Sequence, residues 1–141
     1  MTLSATASLV LETRPFNPRA HRLTYCEAKR LCLIDGHPVF GVEGAIPRSE
    51  VTRLTLVLNG NRIPLDHRGM FNAWSPVEGE DVRARIVEDT PNGLRVRGEF
   101  SDGSAAYVAE WLVIRGGSAR VLIDCVECVA TIPNRALENR Q

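Results

Sequence analysis

The chain has 141 residues, close to the common size of a single domain and enough to bury roughly two thirds of the unfolded surface on folding. Its 44% apolar content is ordinary for a globular fold, and 24% charged residues exclude a chain that lies mostly within a bilayer or one too poor in apolar groups to fold. Seventeen bases balance seventeen acids, so no global field selects nucleic acid, an anionic membrane or an acidic substrate.

Leu3 to Glu12 reads as a first strand, and Arg14-Pro15-Phe16-Asn17-Pro18 breaks regular structure. The only compact apolar run near the start, Leu9-Val10-Leu11, is too short for a secretory leader. No stretch approaches the roughly 18 apolar residues that cross a bilayer. A cytoplasmic protein is expected, and with it reduced cysteines.

Arg22 to Ile34 reads as one long or two short strands. Asp35-Gly36 then gives a hairpin signal, because both central positions of a type I′ turn need positive φ, and Pro38 to Val42 is the return. A loop over Glu43 to Glu50 leads to a strongly β-prone run, Val51 to Leu58. Asn59-Gly60 turns this run into Arg62-Ile63-Pro64-Leu65, where a proline without a ladder donor predicts an edge.

From Asp81 the chain reads as an antiparallel meander. Val82, Ala84 and Ile86 alternate with Arg83 and Arg85, and Leu94, Val96 and Phe100 alternate with Arg95, Arg97 and Glu99, so one face is dry and one wet. A register with Ala84 opposite Phe100 would pair Arg85 with Glu99. Strands over Ala105 to Arg115 and Arg120 to Thr131 complete the set, with Tyr107, Ala109, Trp111 and Val113 on one core face. The whole predicts one all-β domain over residues 1–141, with short helices at most and residues 1–20 and 133–141 loosely ordered. Its architecture is an antiparallel sandwich or partly closed barrel of about eight strands built from hairpins.

Four cysteines offer the sharpest chemistry. Cys26 and Cys32 would share one face of an extended strand, and Cys125 and Cys128 form C-x-x-C; together they could ligate zinc or act as a redox pair. If Cys125 to Cys128 is strand, however, the two sulfurs face opposite sides, and buried, apolar thiols are the simpler expectation. No cofactor or metal is expected. His21, His37 and His67 lack metal spacing, and no nucleophile elbow, phosphate loop or dinucleotide fingerprint occurs, so no enzyme is indicated.

Asp66-His67-Arg68-Gly69-Met70-Phe71-Asn72-Ala73-Trp74-Ser75-Pro76 follows neither strand nor helix period, yet it is rich in large apolar groups. Either Met70, Phe71 and Trp74 fold back to plug an open end of the sheet, or they form an exposed anchor cluster of the kind that dominates protein-binding hot spots. Glu78, Glu80 and Asp81 follow as an acidic run, a solvated loop or a rim that steers a basic partner.

The strings Leu58-Asn59-Gly60, Ile63-Pro64-Leu65-Asp66, Gly69-Met70-Phe71-Asn72-Ala73-Trp74 and Gly98-Glu99-Phe100-Ser101-Asp102-Gly103, with Tyr107 to Trp111, resemble small bacterial immunity-type proteins. Such proteins are encoded beside polymorphic toxins, including type VI secretion effectors. The resemblance implies a cytoplasmic inhibitor that binds a cognate toxin domain and occludes it, without chemistry of its own and without nucleic-acid or membrane partners. The expected contact residues are Asp66, His67, Arg68, Met70, Phe71 and Trp74, with Glu78, Glu80 and Asp81 at the rim. The alternative is a small-molecule-binding or enzymatic barrel with a pocket near His67.

Overall fold

A computed structural model describes residues 2–4, 7–73, 83–101, 103–115 and 117–130. Among them eleven strands form three antiparallel sheets, which makes the fold all-β. The first sheet has the order β1 (Thr2–Ser4), β2 (Ala7–Pro15), β6 (Ser49–Leu58), β7 (Asn61–Pro64). The second has the order β11 (Gly117–Cys125), β10 (Tyr107–Ile114), β9 (Gly93–Phe100), β8 (Arg83–Thr90). A smaller sheet joins β3 (Leu23–Tyr25), β4 (Leu31–Ile34) and β5 (His37–Pro38), and a short helix α1 (Val126–Ala130) follows β11.

The hairpin chemistry works as expected. Asp35 and Gly36, and Asn59 and Gly60, all have positive φ, which supplies the tight turns between β4 and β5 and between β6 and β7. The dry faces of the two four-stranded sheets then meet. On β9 and β10 the register sets Leu94 beside Val113, Val96 beside Trp111 and Phe100 beside Tyr107. From the other sheet Leu9, Leu54, Leu56 and Ile63 complete the same buried cluster. Burying each such large side chain stabilises the fold by about 1.5–3 kcal/mol.

The sandwich approaches closure on both sides, since β1 lies beside β8 and β7 beside β11. No ladder joins these strands, but Ser118 Oγ donates to the Pro64 carbonyl at 2.7 Å. Pro64 therefore lies on an edge strand, as its missing N–H required. The small sheet carries its own cluster of Leu31, Ile34 and Phe71, with Phe16, Leu23 and Val39 against it.

Several expectations are corrected. Ala84 pairs with Gly98 and Arg85 with Arg97, because the register at the turn, with Thr90 opposite Gly93, is offset by one from the expected one and the shift between Ile86 and Glu88 adds a second. The last strand ends at Cys125, where the chain turns into α1. Cys125 and Cys128 therefore sit one helical turn apart and form a disulfide instead of facing opposite sides. Cys26 and Cys32 are not on one strand either. A turn at Glu27–Lys29 folds β3 back on β4 and brings them into a second disulfide, with Cα atoms 5.8 Å apart. Neither pair is a set of buried thiols, since Cys26 and Cys128 are exposed.

Candidate partner-binding site

The segment after β7 is where the three sheets meet, and hydrogen bonds fix almost every residue of it. Leu65 donates its N–H to the Leu54 carbonyl at 2.9 Å and buries its side chain. The Asp66 carbonyl accepts the indole N–H of Trp111 at 2.9 Å. At Gly69 φ is +78°, and a Cβ would lie 2.5 Å from the Pro38 carbonyl oxygen, so only glycine fits. Asn72 accepts the N–H groups of Arg48 and Ser49 on Oδ1 and donates from Nδ2 to the Gly41 carbonyl at 3.1 Å. The Tyr107 hydroxyl donates to the Phe71 carbonyl at 3.0 Å.

This fixed backbone presents one charged constellation. Asp66 Oδ1 accepts the Arg68 backbone N–H at 3.1 Å and Nε at 3.0 Å, while Oδ2 accepts Nη2 at 2.8 Å. The result is a two-pronged carboxylate–guanidinium pair closed over a turn, a geometry stronger and more directional than a single contact. Arg120 reaches in from β11 and donates Nη1 to the Arg68 carbonyl at 2.6 Å. The Arg68 side chain keeps 66% of its surface exposed, so the guanidinium is held in place but open to a partner.

The charges follow this geometry. The hydrogen bonds from the Arg68 side chain hold the Asp66 carboxyl well below the usual range, at about 2; partial burial opposes them, and the Arg68 N–H and the Arg120 charge assist. Arg68 is pushed up by the same pair. Burial lowers Arg120, and the nearby Asp66 charge counters that. Burial raises the Tyr107 hydroxyl far above its ordinary value, so it acts as a neutral donor.

Asp66 and Arg68, expected contact residues, are thus brought together, and His67 lies partly buried between them in the same turn. Met70 and Phe71 are 1% and 7% exposed and plug the end of the sandwich, Met70 in the main core and Phe71 against the small sheet. The exposed-anchor reading is corrected for these two, because burying them is what orders the loop. Trp74, Glu78, Glu80 and Asp81 lie outside the described residues.

Sequence reasoning missed three features. Arg120 is 52 residues from Arg68 and had no local signal. His21 has Nδ1 2.6 Å from Asp35 and Nε2 2.9 Å from Glu50, whose other oxygen pairs with Arg14; Phe16 stacks on the ring at 4.9 Å. With a carboxylate near each ring nitrogen, this histidine joins the small sheet to β6, although its Nε2 makes no well-formed hydrogen bond. Finally, a cleft of about 980 Å³ opens among the β6–β7, β8–β9 and β10–β11 turns, with Ile63, Leu94 and Val113 as its floor and Arg62, Asp89 and Arg115 among its rim residues. Asp66, His67 and Arg68 do not line it.

Asp124, Cys125 and Cys128 could in principle hold a metal, since one donor atom from each lies within 4.8 Å of the others, but the disulfide engages both sulfurs. Among the described residues no helix is long and apolar enough to cross a membrane. Compared with protein-family models, curated proteins and solved structures, the chain matches none.

Proposed function

We propose that this chain is a non-catalytic protein-binding module, an immunity-type inhibitor that binds a cognate toxin or effector domain and covers it. The observation that carries the reading is the Arg68 guanidinium, exposed yet locked by Asp66 on a backbone pinned by Trp111 and Arg120. Arginine is among the residues that most often dominate binding energy, and a side chain ordered before contact loses less entropy on association. The outward Arg68 guanidinium suits an acidic group on the partner, and the acidic run suits a basic one, so the surface offers both signs of charge. The contact surface includes Asp66, His67 and Arg68; Trp74 and the acidic run Glu78, Glu80 and Asp81 extend it on the strength of the sequence.

Cytoplasmic action is part of the proposal, and in that setting both disulfides meet thiol reductants. The test is co-expression in bacteria with the product of the neighbouring reading frame. Protection from its toxicity by the wild-type chain, and loss of protection with Arg68→Ala, support the reading; growth that this chain does not affect would end it.

A second reading rests on the cleft among the three hairpin turns, whose apolar floor and charged rim suit a small ligand. It moves the expected pocket away from His67. Binding that survives Arg68→Ala and is lost on changing Arg62 would favour it.

A further inference from the structure

The two disulfides close short loops, Cys26–Cys32 between residues six apart and Cys125–Cys128 between residues three apart. Each pair has one exposed residue, Cys26 or Cys128, and one partly buried residue, Cys32 or Cys125. Access to an attacking thiolate therefore does not distinguish them.

The surroundings of the inner sulfur do. Cys125 Sγ accepts the backbone N–H of Cys128 at 3.1 Å. A donor aimed at sulfur favours the thiolate over the thiol, and a more stable thiolate leaves faster. Cys32 Sγ instead lies 3.5 Å from the Arg30 carbonyl oxygen, an acceptor that favours S–H and disfavours the anion.

We propose that Cys125–Cys128 is a thiol–disulfide exchange site that takes a low-molecular-weight thiol at Cys128, and that Cys26–Cys32 is the resistant, structural bridge. The incoming thiolate forms a bond to Cys128 Sγ, the Cys125–Cys128 bond breaks, and its electron pair stays on Cys125 Sγ under the Cys128 N–H. A second thiol attacks the mixed disulfide and leaves as the oxidised disulfide of the reagent. Two thiols are thereby oxidised, and one protein disulfide becomes two protein thiols.

Charge runs the other way and is the weaker influence. A carboxylate oxygen of Asp124 lies within 4.8 Å of both sulfurs, and Glu127 is exposed beside them, whereas the other loop holds Lys29 and Arg30 against a single acid, Glu27. Asp124 is partly occupied, since Oδ1 accepts the Cys125 N–H at 2.8 Å. Exposed charges are screened by salt, but a hydrogen bond to the sulfur is not. Opening the bridge removes one tie on α1, which spans five residues and is also held at its start by the Val126 N–H to the Ala106 carbonyl. A helix that short does not hold itself. The site is independent of whatever the Arg68 surface binds.

The test treats the oxidised full-length chain with reduced glutathione at mildly alkaline pH and physiological salt, traps samples with iodoacetamide and maps the cysteines by mass spectrometry. Cys125–Cys128 should open at least about 10-fold faster than Cys26–Cys32. The trapped intermediate should carry glutathione on Cys128 and the alkyl group on Cys125. Asp124→Asn keeps an acceptor for the Cys125 amide but removes the opposing charge, and should accelerate the opening further. Equal rates, faster opening of Cys26–Cys32, or glutathione on Cys125 would overturn the proposal. So would a difference that persists in urea, because it would then belong to loop size and not to the folded surroundings of the sulfurs.

Discussion

The indole N–H of Trp111 donates to the Asp66 carbonyl at 2.9 Å, so a tryptophan with no exposed surface on β10 fixes the backbone from which Arg68 projects. Core and surface are coupled through this bond. Trp111→Phe leaves that carbonyl without its donor and a cavity beside Phe100, and should destabilise the fold by about 3 kcal/mol. Urea denaturation checks this, and an unchanged midpoint would show that the indole N–H does not anchor the turn.

The Asp66–Arg68 pair gives the stability a defined acid dependence. The folded carboxyl titrates at about 2, below its ordinary 3.8, so its stabilising effect is fully present above that ordinary value and is lost as pH falls through about 2. Asp66→Asn removes this dependence. The gap in stability between variant and wild type should be largest near neutral pH and should close as the solution is acidified through this window. Denaturation at neutral and acid pH measures it; a gap that stays constant contradicts the pairing.

Gly69 and Gly60 both have positive φ, near +80°, but a Cβ at Gly60 meets nothing within 4 Å whereas one at Gly69 meets the Pro38 carbonyl oxygen at 2.5 Å. Gly60→Ala should cost about 1 kcal/mol for backbone strain alone. Gly69→Ala should cost on the order of 3 kcal/mol, because the clash displaces the junction between the loop and the small sheet. Equal losses in thermal or chemical denaturation would mean that the junction yields freely.

Much of the sheet structure was legible because its signals are local. Asp35-Gly36 and Asn59-Gly60 place their turns, Pro64 marks an edge, and alternation sets Tyr107, Ala109, Trp111 and Val113 on the core face. The register of β8 was not legible, since the shift between Ile86 and Glu88 moves the pairing without disturbing apolar alternation nearby. The cysteine pairs escape a local reading for a related reason: the apolar sequence around both suggests continuous strands, whereas a tight turn and a helix start bring them together. In the candidate site the Asp66–Arg68 pair sits two residues apart and was visible as charge, although strand geometry would have separated its members from His67. Arg120 and Trp111, which pin it, come from distant strands that only the folded sandwich brings near.

The measurement that bears most directly on the binding proposal is the affinity of this chain for the product of the neighbouring reading frame, by calorimetry, with wild type and Arg68→Ala side by side. A preordered arginine at the centre of the contact predicts at least about tenfold weaker binding for the variant, a loss of about 1.4 kcal/mol, measured at a temperature where both chains are fully folded. Equal affinities for the two chains would contradict it.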